Sequence, residues 1–165
     1  MPMDNIGREA CKIREGNAME MCSLWYKKHT SEFFARHMET KNALFWTLEC
    51  EGKLLGELYV FKKLSDKDFA DGKTTAYLCA FRIHPSFRGQ GYGTKLLEHA
   101  LGRLRKEGFS YATIGCEIAE EANMRLYRRS GFLKTVKTVC VDLCDVDEHG
   151  KPLDCEPYAL LRKKI

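Results

Sequence analysis

In this 165-residue chain, the stretch from His84 to Ala100, HPSFRGQGYGTKLLEHA, holds the residues whose types and spacing could do chemistry. Glycine falls at Gly89, Gly91 and Gly93, with Arg88 in front. An apolar helical repeat follows at once through Leu96, Leu97, Ala100, Leu101 and Leu104. Glycine is a poor helix former, so its use at a helix start needs a reason. The first N–H groups of a helix have no internal partners, and the helix dipole is positive there. Glycines let an anion reach those groups without meeting a Cβ, and Arg88 adds a cationic fork of donors. Together they make an anion seat suited to a diphosphate. A tight turn alone would account for one glycine. Three alternating glycines behind an arginine, between a strand and a helix, favour the seat. Two other phosphate motifs do not fit: a Walker loop needs Gly-Lys-Ser/Thr where the chain has Gly93-Thr94-Lys95, and a dinucleotide fingerprint needs glycine at Leu96.

The elements that must position this turn can be read along the chain. CKIREG (11–16) reads as a first strand, and Asn17 as the N-cap of an amphipathic helix through NAMEMCSLWYKKHT. SEFFARHMET (31–40) reads as a shorter helix capped by Ser31. ALFWTLEC and KLLGELYVFKKL read as an antiparallel hairpin, and the polar 65–74 stretch with Asp71-Gly72 as a loop. TAYLCAFRIH (75–84) is a buried-strand pattern ended by Pro85. After the glycine turn and its helix, which Gly108 is placed to stop, come a strand at 110–118, a short helix at 120–131, and strands at 132–143 and 157–165. A long polar loop, 144–156, joins the last two. The order β-α-α-β-β-β-α-β-α-β-β predicts a single α/β domain over 1–165 with a mixed sheet.

Composition narrows the function classes. At 44% apolar and 30% charged the chain has the balance of a folded domain. Its net charge of +4 is too small, and too evenly spread, for a nucleic-acid binder. No apolar leader or membrane-length run is visible, and the eight cysteines form no C-x-x-C pair. The expectation is a cytoplasmic protein with reduced thiols and no membrane partner. Cys79 and Cys116, in apolar runs, read as small core hydrophobes. The aromatic first third (Trp25, Tyr26, Phe33, Phe34, Phe45, Trp46) reads as core. Asp145, His149 and Cys155 match no standard metal spacing, so no metal is expected.

With these elements in place, the sequence closely resembles the GNAT superfamily of N-acetyltransferases. That family's Arg/Gln-x-x-Gly-x-Gly/Ala pattern is met by Arg88, Gly91 and Gly93, after a hydrophobic-His-Pro met by IHP. A helix and a strand follow, and then LY-x-x-x-GF, met by Leu126, Tyr127, Gly131 and Phe132. The match covers about residues 75–133. The resemblance implies a GNAT-like mixed, mostly antiparallel twisted sheet flanked by helices. It implies acetyl-CoA as co-substrate, held around Arg88, Gly89, Gln90, Gly91, Tyr92, Gly93 and Thr94, with loop amides on the pyrophosphate. It implies that the backbone of Phe81, Arg82 and Ile83 aligns the pantetheine arm. It makes Tyr127 the group that assists the departing thiolate. Lys27–Ser31 and the 145–156 loop would wall the acceptor pocket.

Two departures bear on the chemistry. Seven positions before Tyr127 the family usually has a cofactor-contacting Asn; this chain has Glu120 there, with Asn123 one helical turn from Tyr127. Where the histone-acetylating branch carries Glu, this chain has Tyr77. Deprotonating a lysine-like amine at pH 7 costs about 4.6 kcal/mol and an α-amine about 1.4 kcal/mol. Glu57, Glu117 or a water chain stand as alternative bases. Direct attack on the thioester in a ternary complex is favoured over a covalent route through Cys79 or Cys116, which have no His nearby in sequence. The resemblance thus implies an N-acetyltransferase acting on a small-molecule or peptide amine. A non-catalytic acyl-CoA sensor or scaffold is the alternative and a nucleotide-triphosphate enzyme a weaker one; a homodimer stays open.

Overall fold

Alternation of apolar residues along the central strands gives the sheet two buried faces. Leu44 and Trp46, Leu58 and Val60, Ala76 and Leu78, Ala159 and Leu161 turn to one face. Phe45, Tyr59, Phe61, Tyr77, Tyr158 and Leu160 turn to the other. The computed structural model describes residues 11–25 and 27–165. Its elements are β1 (Cys11–Glu15), α1 (Ala18–Leu24), α2 (Lys28–Glu39), β2 (Ala43–Cys50), β3 (Lys53–Phe61), β4 (Thr75–Ile83), α3 (Tyr92–Lys106), β5 (Tyr111–Glu117), α4 (Glu121–Arg129), β6 (Lys134–Val146) and β7 (Pro152–Lys164). A 3-10 turn spans Pro85–Phe87. The predicted element order is the observed one.

The seven strands lie in the order β1-β2-β3-β4-β5-β7-β6. Only β4 and β5 run parallel, joined by the α3 crossover. Leu96, Leu97, Ala100, Leu101 and Leu104 of α3 are buried on the first face. Met21 of α1 and Phe34 of α2 are buried on the second.

Several local expectations are corrected. The first helix stops at Leu24, because Trp25 is extended (φ −115°, ψ 130°). The second therefore starts at Lys28 behind Lys27, and Ser31 lies inside it, its hydroxyl donating to the Lys28 carbonyl rather than capping. Asn17 does cap α1, in a reciprocal box with Glu20. The polar 144–156 stretch is mostly strand, since β6 runs to Val146 and β7 begins at Pro152. Its polar residues sit on a protruding, largely exposed hairpin, which needs no apolar alternation. The all-reduced thiol expectation also fails: strand register sets Cys11 opposite Cys50, Cα atoms 4.1 Å apart, and the two form a disulfide. Tyr26 lies outside the described residues.

The 65–74 loop is pinned by Asp71, whose carboxylate accepts the amides of Lys73, Thr74 and Thr75 and the Thr74 hydroxyl. Burial works against the charge, but these donors hold the carboxyl well below the usual carboxylate range. A depressed carboxyl contributes stability that is present above the unfolded-state pKa and is lost as pH falls through the folded value. Asp71→Ala is therefore expected to lower unfolding free energy by about 2 kcal/mol at pH 7. In urea titrations across pH, that difference should shrink below about pH 4.

Candidate active site

The site begins where β4 and β5 part. Their parallel pairing ends at Leu78 and Ile114, while β4 continues along β3 to Ile83 and β5 continues along β7 to Glu117. A bulge in β4 accompanies the parting: the register jumps from Tyr59 opposite Cys79 to Glu57 opposite Arg82, and Ala80 takes φ +48°. Beyond Leu78, one edge of β4 therefore has no strand partner, and Phe81, Arg82 and Ile83 line the wedge.

The glycine turn closes one end of the wedge. Gly89 and Gly91 have φ of +73° and +85°, a left-handed backbone that side chains strain, and a Cβ at either would meet nothing within 4 Å. Gly91 caps α3, so the free amides of the first helical turn face outward here. Arg88 Nε donates to the Ile83 carbonyl at 2.9 Å, tying the turn to β4. Its terminal NH2 groups make no hydrogen bond among the described residues. A groove of about 840 Å³ is lined by Phe81, Arg82, Ile83, Arg88, Gly89, Gly91, Gly93, Thr94, Asn123, Tyr127 and neighbours including Arg129. Its arginines and helix start give it the electrostatics an anion needs. Gln90 and Tyr92 do not line it; Tyr92 is buried against Phe87 and its neighbours, so only backbone is on offer at that position.

A second cavity, about 390 Å³, adjoins the groove at Tyr127. Phe81, Arg82, Glu120, Asn123 and Tyr127 line both spaces. Tyr127 is 6% exposed, and its hydroxyl has no hydrogen-bond partner among the described residues. Burial pushes the phenol well above its ordinary value, helped by Cys116 and Glu120, so it stays protonated at neutral pH. Asn123 and Glu120 are hydrogen-bonded to each other, and both face the two spaces.

The two carboxylates that stand as alternative bases are placed differently. Glu57 is buried and fully engaged: Arg82 Nε lies 2.6 Å from one oxygen, and Tyr59 Oη and Trp25 Nε1 donate to the other at 2.9 and 3.3 Å. It is not among the cavity's lining residues, and its role is to hold the wall, where Arg82 also stacks 5.0 Å from the Trp25 ring centre. Glu117 is exposed at the cavity rim. Tyr77 is buried, and its phenol is pushed up by burial, so it is no base at neutral pH. Cys116 is buried, and its thiol too is pushed up by burial, leaving little thiolate for a covalent route. Cys79 packs, partly buried, against the core of the second face as expected, and it also lines the cavity beside Cys144.

Of the acceptor-side walls expected, Lys27, Thr30 and Asp145 do line the cavity. Asp145 is engaged by Lys27 Nζ and Thr30 Oγ1, each at 2.6 Å, while His149 and Cys155 are exposed. Sequence reasoning missed Trp25 and Asp142 as lining residues. A carboxylate inside the apolar VDL run was the available signal for Asp142.

Comparison with known proteins gives the family. Residues 12–132 match the model of the acetyltransferase (GNAT) family. The probable N-acetyltransferase camello of Xenopus tropicalis is 24% identical over 115 residues, 70% of this chain. The chain spans about half the length of that relative. Among solved structures, a GNAT family acetyltransferase from Elizabethkingia anophelis with acetyl-CoA bound superposes with a TM-score of 0.67 at 15% identity, covering 96% of this chain and all of that one. The ribosomal-protein-S18-alanine N-acetyltransferase of Escherichia coli gives 0.68 at 17% identity, covering 94% of each chain. The family match takes in the β4 wedge, the glycine turn and Tyr127 alike, and the chain belongs to the GNAT acetyltransferase family.

Proposed function

We propose that this protein moves the acetyl group of acetyl-CoA to an amine by direct attack in a ternary complex. One observation carries the reading: a glycine-lined, arginine-rich groove and a second cavity meet at Tyr127. The residues present fit the donor, because the backbone at Gly89 and Gly91 stays open where a Cβ would intrude.

In this reading the amides from Gln90 to Thr94 and the Arg88 guanidinium seat the pyrophosphate. Asn123 contacts the cofactor from α4. The free edge of β4 at Phe81–Ile83 aligns the pantetheine arm, and a backbone N–H near Phe81 or Arg82 polarises the acyl carbonyl. Acetyl-CoA supplies the thioester. The amine nitrogen bonds to the carbonyl carbon as the carbon–sulfur bond breaks. The proton that nitrogen sheds neutralises the thiolate, so an amide and a free thiol result. Tyr127, held neutral by burial, donates a hydrogen bond to the sulfur as charge develops there.

Free-thiol release from acetyl-CoA over a panel of α-amines, alkylamines and lysine derivatives tests this. Release with at least one amine is expected. Tight CoA binding with no release across the panel would instead make the fold an acyl-CoA sensor or scaffold.

A further inference from the structure

The wall of the smaller cavity holds a carboxylate that forms no ion pair among the described residues. Asp142, on β6, lines this cavity. The Cys144 amide donates to its Oδ1 at 2.9 Å, which orients the group but brings no cation. Among the described residues no cationic side chain forms an ion pair with it. Lys27, whose charge acts on Asp142, is already joined to Asp145 Oδ2 at 2.6 Å. That pair is neutral as a whole, so the Asp142 charge is left over. Burial pushes the Asp142 carboxyl up and the Asp145 charge adds to this, against the opposing pull of the Cys144 and Asp145 amides and of Lys27. A partly buried carboxylate in this state is stabilised by a cation that fills the space in front of it.

A second group points the same way. Tyr77 is 6% exposed, lines the cavity, and lies within electrostatic reach of Asp142. Its hydroxyl has no hydrogen-bond partner among the described residues. A Cβ on Gly115 would stand 3.2 Å from that oxygen, so β5 leaves the hydroxyl room at this point. A hydroxyl with no protein partner that opens on a cavity has a lone pair ready for an N–H donor.

The position of Asp142 relative to Tyr127 sets what the cation is. Asp142 is on β6, three residues from Asp145, which Thr30 of α2 and Lys27 engage. Tyr127 is on α4, its ring against Phe81 and Phe132. The two therefore line the cavity from different walls. The amine to be acetylated must sit at Tyr127.

We infer that the acceptor carries a second positive charge besides its reacting amine, and that Asp142 and the Tyr77 hydroxyl bind that charge. This rests on the acetyltransferase reading above and adds a substrate class to it: a dicationic amine, either a free diamine or a peptide amine with a lysine beside it. Trp25 and Phe34 on the cavity wall offer apolar faces to the chain between the two charges.

The test compares matched amines that differ only in the second charge. 1,4-Diaminobutane is paired with n-butylamine, and alanyl-lysine amide with alanyl-norleucine amide. The ratio of kcat/KM within each pair is measured by thiol release, so a general loss of activity cannot imitate the result. In the wild type the dication should win in at least one pair by about tenfold, as expected for one charge-assisted contact. Which pair shows it separates the two sources. Asp142→Asn should bring that ratio to within about threefold of unity, and Tyr77→Phe should lower it by about threefold. Ratios near unity in both wild-type pairs, or a wild-type ratio kept by Asp142→Asn, overturn the inference. Calorimetric titration of the same four amines into CoA-saturated protein keeps the two readings apart. Dication binding that depends on Asp142, without thiol release, upholds the subsite and removes the acetyltransferase reading.

Discussion

Gly91→Val is expected to weaken CoA binding by about a hundredfold, close to 2.7 kcal/mol, while the fold persists. The cause is local. Gly91 has φ +85° at the N-cap of α3, where a β-branched residue strains the backbone by about 1–2 kcal/mol. A Cβ there meets no protein atom within 4 Å, so the core has nothing to clash with. The added side chain instead stands in front of the amides that would seat the pyrophosphate. Calorimetric titration with CoA measures the loss, and thermal unfolding checks that the domain is intact. Affinity within threefold of wild type would remove the glycine turn from the binding account.

Tyr127→Phe is expected to lower turnover by about tenfold or more while CoA still binds. The hydroxyl makes no hydrogen bond among the described residues, so its removal leaves no protein group orphaned. The ring keeps its place between Phe81 and Phe132, 6.4 Å from each. What is lost is the donor to a developing thiolate, which matters only as the carbon–sulfur bond breaks. The effect should therefore fall on kcat, with KM for acetyl-CoA nearly unchanged. Unchanged turnover would take Tyr127 out of the chemistry.

Features encoded within a few neighbouring residues were legible in the sequence. The glycine turn, the α3 repeat and the LY-x-x-x-GF segment each carry their own pattern, and the element order followed from them. What was not legible depends on distant partners. Nothing in TAYLCAFRIH marks Ala80 as the bulge that frees an edge of β4; the bulge appears only in the register against β3. Ser31 is a good cap by type, yet the chain breaks at Trp25, whose indole donates to Glu57 thirty-two residues away. Cys11 and Cys50 meet because the β1–β2 register opposes them, not because of their spacing. Glu57 looked available as a base until Arg82, Tyr59 and Trp25 were seen to occupy both oxygens. Asp142 sits in a strand pattern with no local mark of a role, and only the fold brings it to the cavity with Lys27 already engaged with Asp145.

The central claim is that donor and acceptor spaces meet at Tyr127. A crystal structure of the complex with acetyl-CoA tests it most directly. The pyrophosphate should lie on the amides of Gln90 to Thr94, the pantetheine arm along Phe81–Ile83, and the thioester sulfur within hydrogen-bond reach of Tyr127 Oη. Acetyl-CoA bound away from the glycine turn, or with its sulfur far from Tyr127, would contradict the account.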